Sequence, residues 1–588
     1  MRGGVYFLLL FLLMPVPALA RDLQEPTPLL HPTGRPDAVL PPEGSIWIAA
    51  ETFAAGPYSG GGGATVGARP LPGLVLSLHQ TSFDDGSADA LLRLWPEADR
   101  RPALFLGAAG LGGVAEDRSL FLGAGSRLGP FEATAGLSWR GSDRSGVEDW
   151  PDPWGSVRWQ DAYRRFAIQA EAGRVGRHRE PRLTGQYRLL PWMSIGAGAE
   201  WRRGIFTTLT LSAPIAELPV RTRPRTGVTH VAGREIWVQA AREQPLAATL
   251  GRAALDLAPP DGEITLHAHE GGLPGIAVTM MAGDLARAAA HNGSPEEIAG
   301  NALFRPADPP GAGPLLWTPE GTLLLDHGPG VENSGWVSRA MLDAGLEVGH
   351  PWGFRAGGAL RLTLDSTADR LPVPQLEAAV RSDLADHAAA GVALERLYLM
   401  WNGRLAPGLL AMVEAGHFEE MFGGAGGELR WQSFDSRHSL SLELHHVWKR
   451  ESGHIAVWRG TGRTTGLLTA GYDLPGRDAA ATLSAGWFLD GDAGIQAGLE
   501  RWFDNGAGLG GTVTWSDGVA LGLRLRVPLD VNLGPVPLAL EMRARPHGRD
   551  RGQRLERPHQ LEDLARMVGL GRLARSWPAL LDRGNPQP

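Results

Sequence analysis

Residues His438 to Trp448 read HSLSLELHHVW, and the way these side chains alternate decides the fold. Leu440, Leu442, Leu444 and Trp448 share one face, with His446 the exception, while Ser439, Ser441, Glu443 and His445 share the other. Period two is strand geometry; a helix would scatter the leucines around its surface. Val519 to Leu529, VALGLRLRVPL, repeats the pattern, with Leu521, Leu523, Leu525 and Val527 opposite Gly522, Arg524 and Arg526. Arginines on the second face are unfavourable in a packed sandwich core and acceptable in a watery lumen, with the leucines facing lipid. The expectation is a mainly β chain forming antiparallel outer-membrane β-barrel walls. Ser439, Ser441, Glu443, His445, Arg524 and Arg526 are the candidate lumen-lining residues.

Working outward, the same grammar recurs. LVLSLHQ sets Leu74, Leu76 and Leu78 opposite Val75, Ser77 and His79. Leu71-Pro72-Gly73, Leu190-Pro191-Trp192, Pro351-Trp352-Gly353, Ala406-Pro407-Gly408 and Leu474-Pro475-Gly476 each separate two strand-like runs. Pro fixes φ and Gly accepts positive φ, so these are tight reversals. Trp139, Trp159, Trp192, Trp201, Trp352, Trp431, Trp448 and Trp487 sit at strand ends, where ring side chains form interfacial girdles. Such runs fill Ser45 to Ala213 and again Met341 to Leu529, enough for two tandem small barrels or one large one.

Between them the pattern changes. Arg234 to Gln239, Glu263 to His269 and Ile276 to Met281 read as strands. Ala247 to Leu257, Asp284 to His291 and Ser294 to Ala302 read as helices, the last capped by Ser294 with Glu297 three residues on. This is an inserted periplasmic α/β domain, since backbone outside a barrel wall cannot lie in lipid. Ser382 to Glu395 reads as one more helix. The expected organisation is a signal peptide at 1–20, a β-barrel region at 21–225, the α/β domain at 226–310, a second barrel region at 311–545, and a polar tail at 546–588. That tail is expected to hold one short helix near Leu561 to Val568 and a disordered end.

The N-terminus carries Arg2, an apolar stretch from Val5 to Met14, Pro15 and Pro17, and the small-x-small site Ala18-Leu19-Ala20. A cleavable signal peptide and the outer membrane of a Gram-negative-type cell follow as expectations. Cys is absent, which excludes a disulfide scaffold, a Cys-ligated metal and a thiol nucleophile, and leads to the expectation that the protein is not a lipoprotein. The net charge of -8 is spread along the chain with no basic block, so nucleic acid is not an expected partner.

Signals for chemistry are weak. His445-His446 point to opposite faces of a strand and cannot chelate one ion. His267 and His269, followed by Glu270, could reach a metal but read as exposed polar strand residues. Glu419-Glu420 could serve glycoside chemistry only if set across a cleft, and reads as a solvated acidic turn. The Gly60 to Gly63 run lacks the Lys-Ser/Thr of a phosphate loop, and GxSxG and HExxH are absent. The expectation is a non-enzymatic protein with no catalytic, metal or cofactor site.

Arg404 to Asp435, RLAPGLLAMVEAGHFEEMFGGAGGELRWQSFD, resembles the YjbH/GfcD-type exopolysaccharide outer-membrane proteins. So do Arg396 to Leu399, Arg501 to Gly506, and Gly552 to Pro558, GQRLERP. Upstream, Pro42-Glu43-Gly44, Arg69 to Pro72 and Gly271 to Pro274 fit the same order. These are turns and strand ends rather than catalytic signatures. The resemblance implies a barrel acting in exopolysaccharide or capsule secretion or assembly, with exopolysaccharide as cargo and lipid around it. The alternatives are a scaffold that recruits periplasmic polysaccharide-synthesis partners and an outer-membrane hydrolase.

Overall fold

The structure, a computed structural model, describes residues 43–582 except 56–61, 83–84, 99–100, 112–117, 143–145, 148–150, 174–180, 219–226, 243, 258–260, 312, 330–335, 372–379, 382, 453–457, 490, 517–518, 534–535, 546 and 548–552. The signal peptide expected at 1–20 lies outside the described residues. The chain divides into two compact units, and each is a β-barrel, the second with further elements attached.

In the first unit, strands from Ser45–Ala55 to Gly204–Pro214 form one antiparallel sheet in which sequence neighbours are wall neighbours. The first strand pairs antiparallel with the last, and Ser119–Leu128 pairs with Phe131–Ser142, so the sheet closes. Of its thirteen strands, only the two-residue Gly146–Val147 stands outside the ring. Alternation sorts the side chains inside out. Glu132, Thr134, Ser156, Gln169, Thr184 and Gln186 are buried, while Leu120, Leu137, Val157, Ile168, Leu183 and Ile195 are exposed. A soluble protein does the reverse; transmembrane barrels carry an apolar outer band of this kind. Inside, aromatic rings lie over glycines of the next strand. Any Cβ on Gly67 would sit 2.1 Å from the Trp47 ring, and one on Gly107 would sit 2.2 Å from Phe121. Glycine here supplies room for rings that fill the barrel.

The second unit opens with a five-stranded sheet in the order Val228–Ala232, Glu235–Gln239, Glu263–Glu270, Leu273–Met281, Leu303–Pro306. Glu235–Gln239 and Glu263–Glu270 run parallel, so the chain crosses over between them through helix α1 (Leu246–Leu257). Helices α2 (Ala282–Ala289) and α3 (Pro295–Asn301) follow, and the Ser294 hydroxyl caps α3 by accepting from the Glu297 N–H. The sequence pattern missed only the two outer strands, which are short and half exposed.

Thirteen strands from Leu316–Pro329 to Val536–Ala544 then close a second barrel. With an odd number of up-and-down strands the closing pair must run the same way, and Gly321 to His327 indeed pairs parallel with Leu538 to Ala544. The helix expected through Glu395 is shorter: α4 spans Leu384–Ala389, Gly391 takes φ +67°, and strand Val392–Ala406 begins at once. The β-branched Val392 and the alternation after it favour strand over helix.

In His438–Arg450, Leu440, Leu442 and Leu444 are exposed while Ser439, Ser441, Glu443 and His445 are buried. Exposed Trp431 pairs with Leu440 at one end of this stripe, and exposed Trp448 marks the other. The eight residue steps from Leu440 to Trp448 span ~27 Å along the strand, or ~20 Å at a tilt of ~40°, near the ~25 Å of an apolar band. The Val519 stretch departs from expectation. Leu525 and Val527 are buried, and Leu521 and Leu523 half-buried, so they do not form a lipid-facing row. They lie beside Met542 and Leu540 on the closing strand, where large side chains crowd one face.

The tail holds the short helix expected near Leu561 to Val568 and departs from expectation in being packed rather than polar; residues 583–588 lie outside the described residues. The tail contains α5 (Leu561–Met567) and α6 (Leu570–Ser576), and both are built into the unit. Val568, Leu573, Trp577 and Leu580 complete the core that Ile236, Val238, Leu250, Ile264 and Leu266 begin in the α/β domain.

Candidate functional site: the stoppered interior of the second barrel

Strand parity points Glu414, Glu428, Arg430, Glu443 and His445 into the barrel, as the burial of each shows. Three of them are carboxylates on adjoining strands, and unpaired they could not stay ionised together in a low-dielectric interior. The tail supplies the counter-charge. Arg557, 1% exposed, donates to Glu414 at 3.0 Å, Glu428 at 2.9 Å and Glu443 at 2.8 Å. Arg554 adds a second donor to Glu443 at 2.8 Å. Burial works against the charge on Arg557, but Glu443, Glu428 and Glu414 outweigh it and raise its pKa above the ordinary arginine value. His445 meets Glu414 at 2.9 Å, so this histidine is held within the cluster.

The rest of the tail is stitched to the wall in the same way. The Leu561 N–H donates to Glu428 at 3.1 Å. Glu562 accepts from the Ser439 hydroxyl at 3.1 Å and from Arg430, which prevails over burial and keeps its carboxyl below the ordinary range. Glu556 pairs with Arg543 and Arg545, and Arg545 reaches Asp326 at 2.7 Å. Tyr398 and Glu347 hold His559. Leu561 and Leu564 pack with Leu273, Tyr398, Met400 and Met412, joining tail, α/β domain and barrel wall.

Near the far ends of the strands lies a second ion cluster. Arg361 grips Asp343 through two bonds of 2.7 Å and reaches Glu420 at 2.8 Å, while Arg339 adds bonds of 3.0 and 3.1 Å. Glu419 takes Arg381 at 2.9 Å. Glu419 and Glu420 are 5% and 6% exposed, so the expectation of a solvated acidic turn is corrected. Burial raises the Glu419 carboxyl; burial also opposes ionisation of Glu420, but Arg339 and Arg361 prevail and lower it.

The remaining sequence candidates fall elsewhere. Arg524 is 45% exposed and pairs with Glu541 at 3.0 Å, and Arg526 stands beside Glu541 across the strand pair. His267 and His269 are fully buried, which corrects their reading as exposed residues. The ring of Trp237 stacks on His267 at 4.6 Å, and His269 meets the Thr229 hydroxyl at 2.7 Å. Glu270 turns instead to Arg355 at 3.1 Å. Among the described residues, no group of three His, Cys, Asp or Glu side chains is set to hold a metal ion. Sequence reading missed Glu414, Glu428 and Arg430, although parity with Val413, Leu429 and Trp431 marks them as inward. Nothing local marks Arg557 as their partner.

A family model described as "Exopolysaccharide biosynthesis protein YbjH" matches residues 333–567. The matched span runs along most of the barrel wall and continues through Arg557 into α5. An "Uncharacterized lipoprotein YjbH" of Escherichia coli (strain K12) is 30% identical over 200 residues. That alignment covers 32% of this chain and 28% of the relative, so the chain spans under a third of the curated protein it matches. The resemblance to the YjbH family therefore holds over residues 333–567. The relative's name overturns one expectation: this chain is not set apart from lipoproteins by the argument from Cys.

Proposed function

We infer that the chain is a membrane-embedded, non-enzymatic scaffold for exopolysaccharide secretion or assembly, and that its second barrel works stoppered by its own C-terminus. The observation that carries this reading is Arg557 held between Glu414, Glu428 and Glu443. A conduit needs a wet lumen, and side chains lining water stay exposed; here the inward-facing carboxylates are buried and neutralised by the tail. The inverted polarity of both walls supports a lipid surrounding. In place of a pore, the unit offers an α/β domain fixed to the barrel by the shared tail, a rigid platform for a polysaccharide-synthesis partner. Glu419 and Glu420 are each tied to arginine, which leaves neither as a free general acid. Deletion of the gene is expected to lower surface polysaccharide, and an Arg557→Ala chain to restore it poorly. Unchanged polysaccharide after clean deletion would sink the role. Steady large conductance from the purified chain in planar bilayers would sink the stoppered reading.

A further inference from the structure

Beside the tail lies a cleft of about 630 Å³ that the stopper does not fill. Its walls are the turns at Gly408, Ser433 to Arg437 and Gly476, helix α6, and the start of strand Leu273–Met281. All belong to the second unit. The lining is strongly cationic: Arg404, Arg430, Arg437, Arg566, Arg572 and Arg575 stand against Asp435 and Asp473 alone.

Part of that charge is already matched. Arg430 pairs with Glu562, Arg566 with Asp473 at 3.3 Å, and Arg575 with Asp478 at 2.8 Å. Arg572 is engaged by the carbonyls of Ala241, Arg242 and Gln244, which leaves two arginines. Arg404 donates to the Ala307 carbonyl at 2.7 Å and has no carboxylate partner among the described residues. Arg437 is exposed at the rim, and no ion pair or hydrogen bond engages its side chain among the described residues. Uncompensated positive charge in a concave site concentrates anions. A guanidinium presents a planar fork that matches a carboxylate, and each such pair is directional.

The dimensions and the neutral lining narrow the ligand. Pockets of ~300–1,000 Å³ take molecules of several rings, more than one small ion. Phe434 offers an apolar face at the rim, and Ser433 and Gln432 offer hydroxyl-matching groups beside it. Rings bearing many hydroxyls and one carboxylate each are the uronic acids. We propose that this cleft binds a carboxylate-bearing segment of a saccharide chain, with Arg404 and Arg437 taking its carboxylates. The choice of a saccharide rests on the exopolysaccharide reading above; the anionic character rests on the arginines alone.

The test titrates the purified full chain in detergent with a short oligogalacturonate, by calorimetry. Uncharged maltohexaose and inorganic phosphate are the comparison ligands. Saturable binding of the uronate oligomer is expected, weakening with added salt and absent with maltohexaose. Arg437→Ala, at an exposed rim position where folding is not at stake, is expected to weaken it severalfold. Arg404→Ala with Arg437→Ala is expected to weaken it more than about tenfold, or ~1.4 kcal/mol. Failure of the oligomer to bind, equal binding by Arg437→Ala, or phosphate binding as tightly as the oligomer would each overturn the proposal. Surface polysaccharide in the deletion strain reads the broader function separately. A chain that binds uronate in a strain whose polymer is unaffected would retain the cleft and lose the function.

Discussion

The two barrels share a wall grammar and differ in what fills them. The first closes an even ring with every pair antiparallel, and its interior is packed by rings over glycines and by pairs between its own wall strands, such as Arg182 with Glu51 and Glu200. The second closes an odd ring through a parallel pair, and its interior carboxylates are answered from more than a hundred residues away by Arg554 and Arg557. Strand alternation builds both shells. In the second, a segment outside the wall neutralises the inner face, and the family match runs from that wall into that segment. A barrel completed by its own tail is coupled to whatever else the tail holds, here the core of the α/β domain.

The sharpest way to break the comparison is to remove residues 553–588. The second barrel then keeps three buried glutamates without Arg557, and the α/β core loses Val568, Leu573, Trp577 and Leu580. We expect residues 227–545 to become protease-sensitive while residues 45–214 stay resistant, as limited proteolysis with mass mapping would show. Equal resistance of both would erase the distinction. Next in size is Arg557→Ala, which leaves a buried charge cluster unmatched. Breaking a buried pair in this way costs ~3–5 kcal/mol. Hydrogen exchange should show faster opening across α5 and α6, with the first barrel unchanged.

A smaller effect sharpens the other side. Gly107→Ala puts a methyl against the Phe121 ring and the Ala90 carbonyl, and overpacking of this kind costs ~1–3 kcal/mol. The melting of the first barrel should fall and that of the second should not. Smallest is a pH effect on the α/β domain alone. Burial, with Arg355 and His267 nearby, depresses the pKa of His269 to about 3. The unfolded residue binds its proton near pH 6.5 and the folded one does not, so the stability due to this group is complete above pH 6.5. It is lost as pH falls from 6.5 toward 3, at up to ~1.4 kcal/mol per unit. Exchange rates in strand Glu263–Glu270 measured across that window should rise, and His269→Gln should flatten the dependence; an unaltered slope would refute the assignment to His269.

Much of the shell was legible. HSLSLELHHVW carries its inside and outside in parity alone, and the Pro-Gly reversals fall where the walls turn. The Ser294 cap and α1 were legible because capping and helical spacing are local signals. What stayed hidden is non-local. GQRLERP reads as a polar turn until Glu414, Glu428 and Glu443 are brought around it, and Trp577 reads as a stray aromatic until α1 and its sheet offer it a core. Leu525 and Val527 share the alternation of the outward-facing leucines, yet the closing seam buries them. Burial at a seam depends on which strand closes on which, and no window of sequence holds that information.

The central claim is that the tail sits inside the second barrel, and the absence of cysteine in the chain makes it directly measurable. Ser439 Oγ and Glu562 Oε2 lie 3.1 Å apart, joining wall and tail. Thr469 Oγ1 and Ser484 Oγ, 2.8 Å apart across two wall strands, supply the control. A chain with Ser439→Cys and Glu562→Cys, treated in detergent with a short bifunctional thiol crosslinker long enough to replace the lost carboxylate arm, should join internally as fully as one with Thr469→Cys and Ser484→Cys. Efficient bonding of the control pair with none between positions 439 and 562 would place the tail elsewhere and contradict the account.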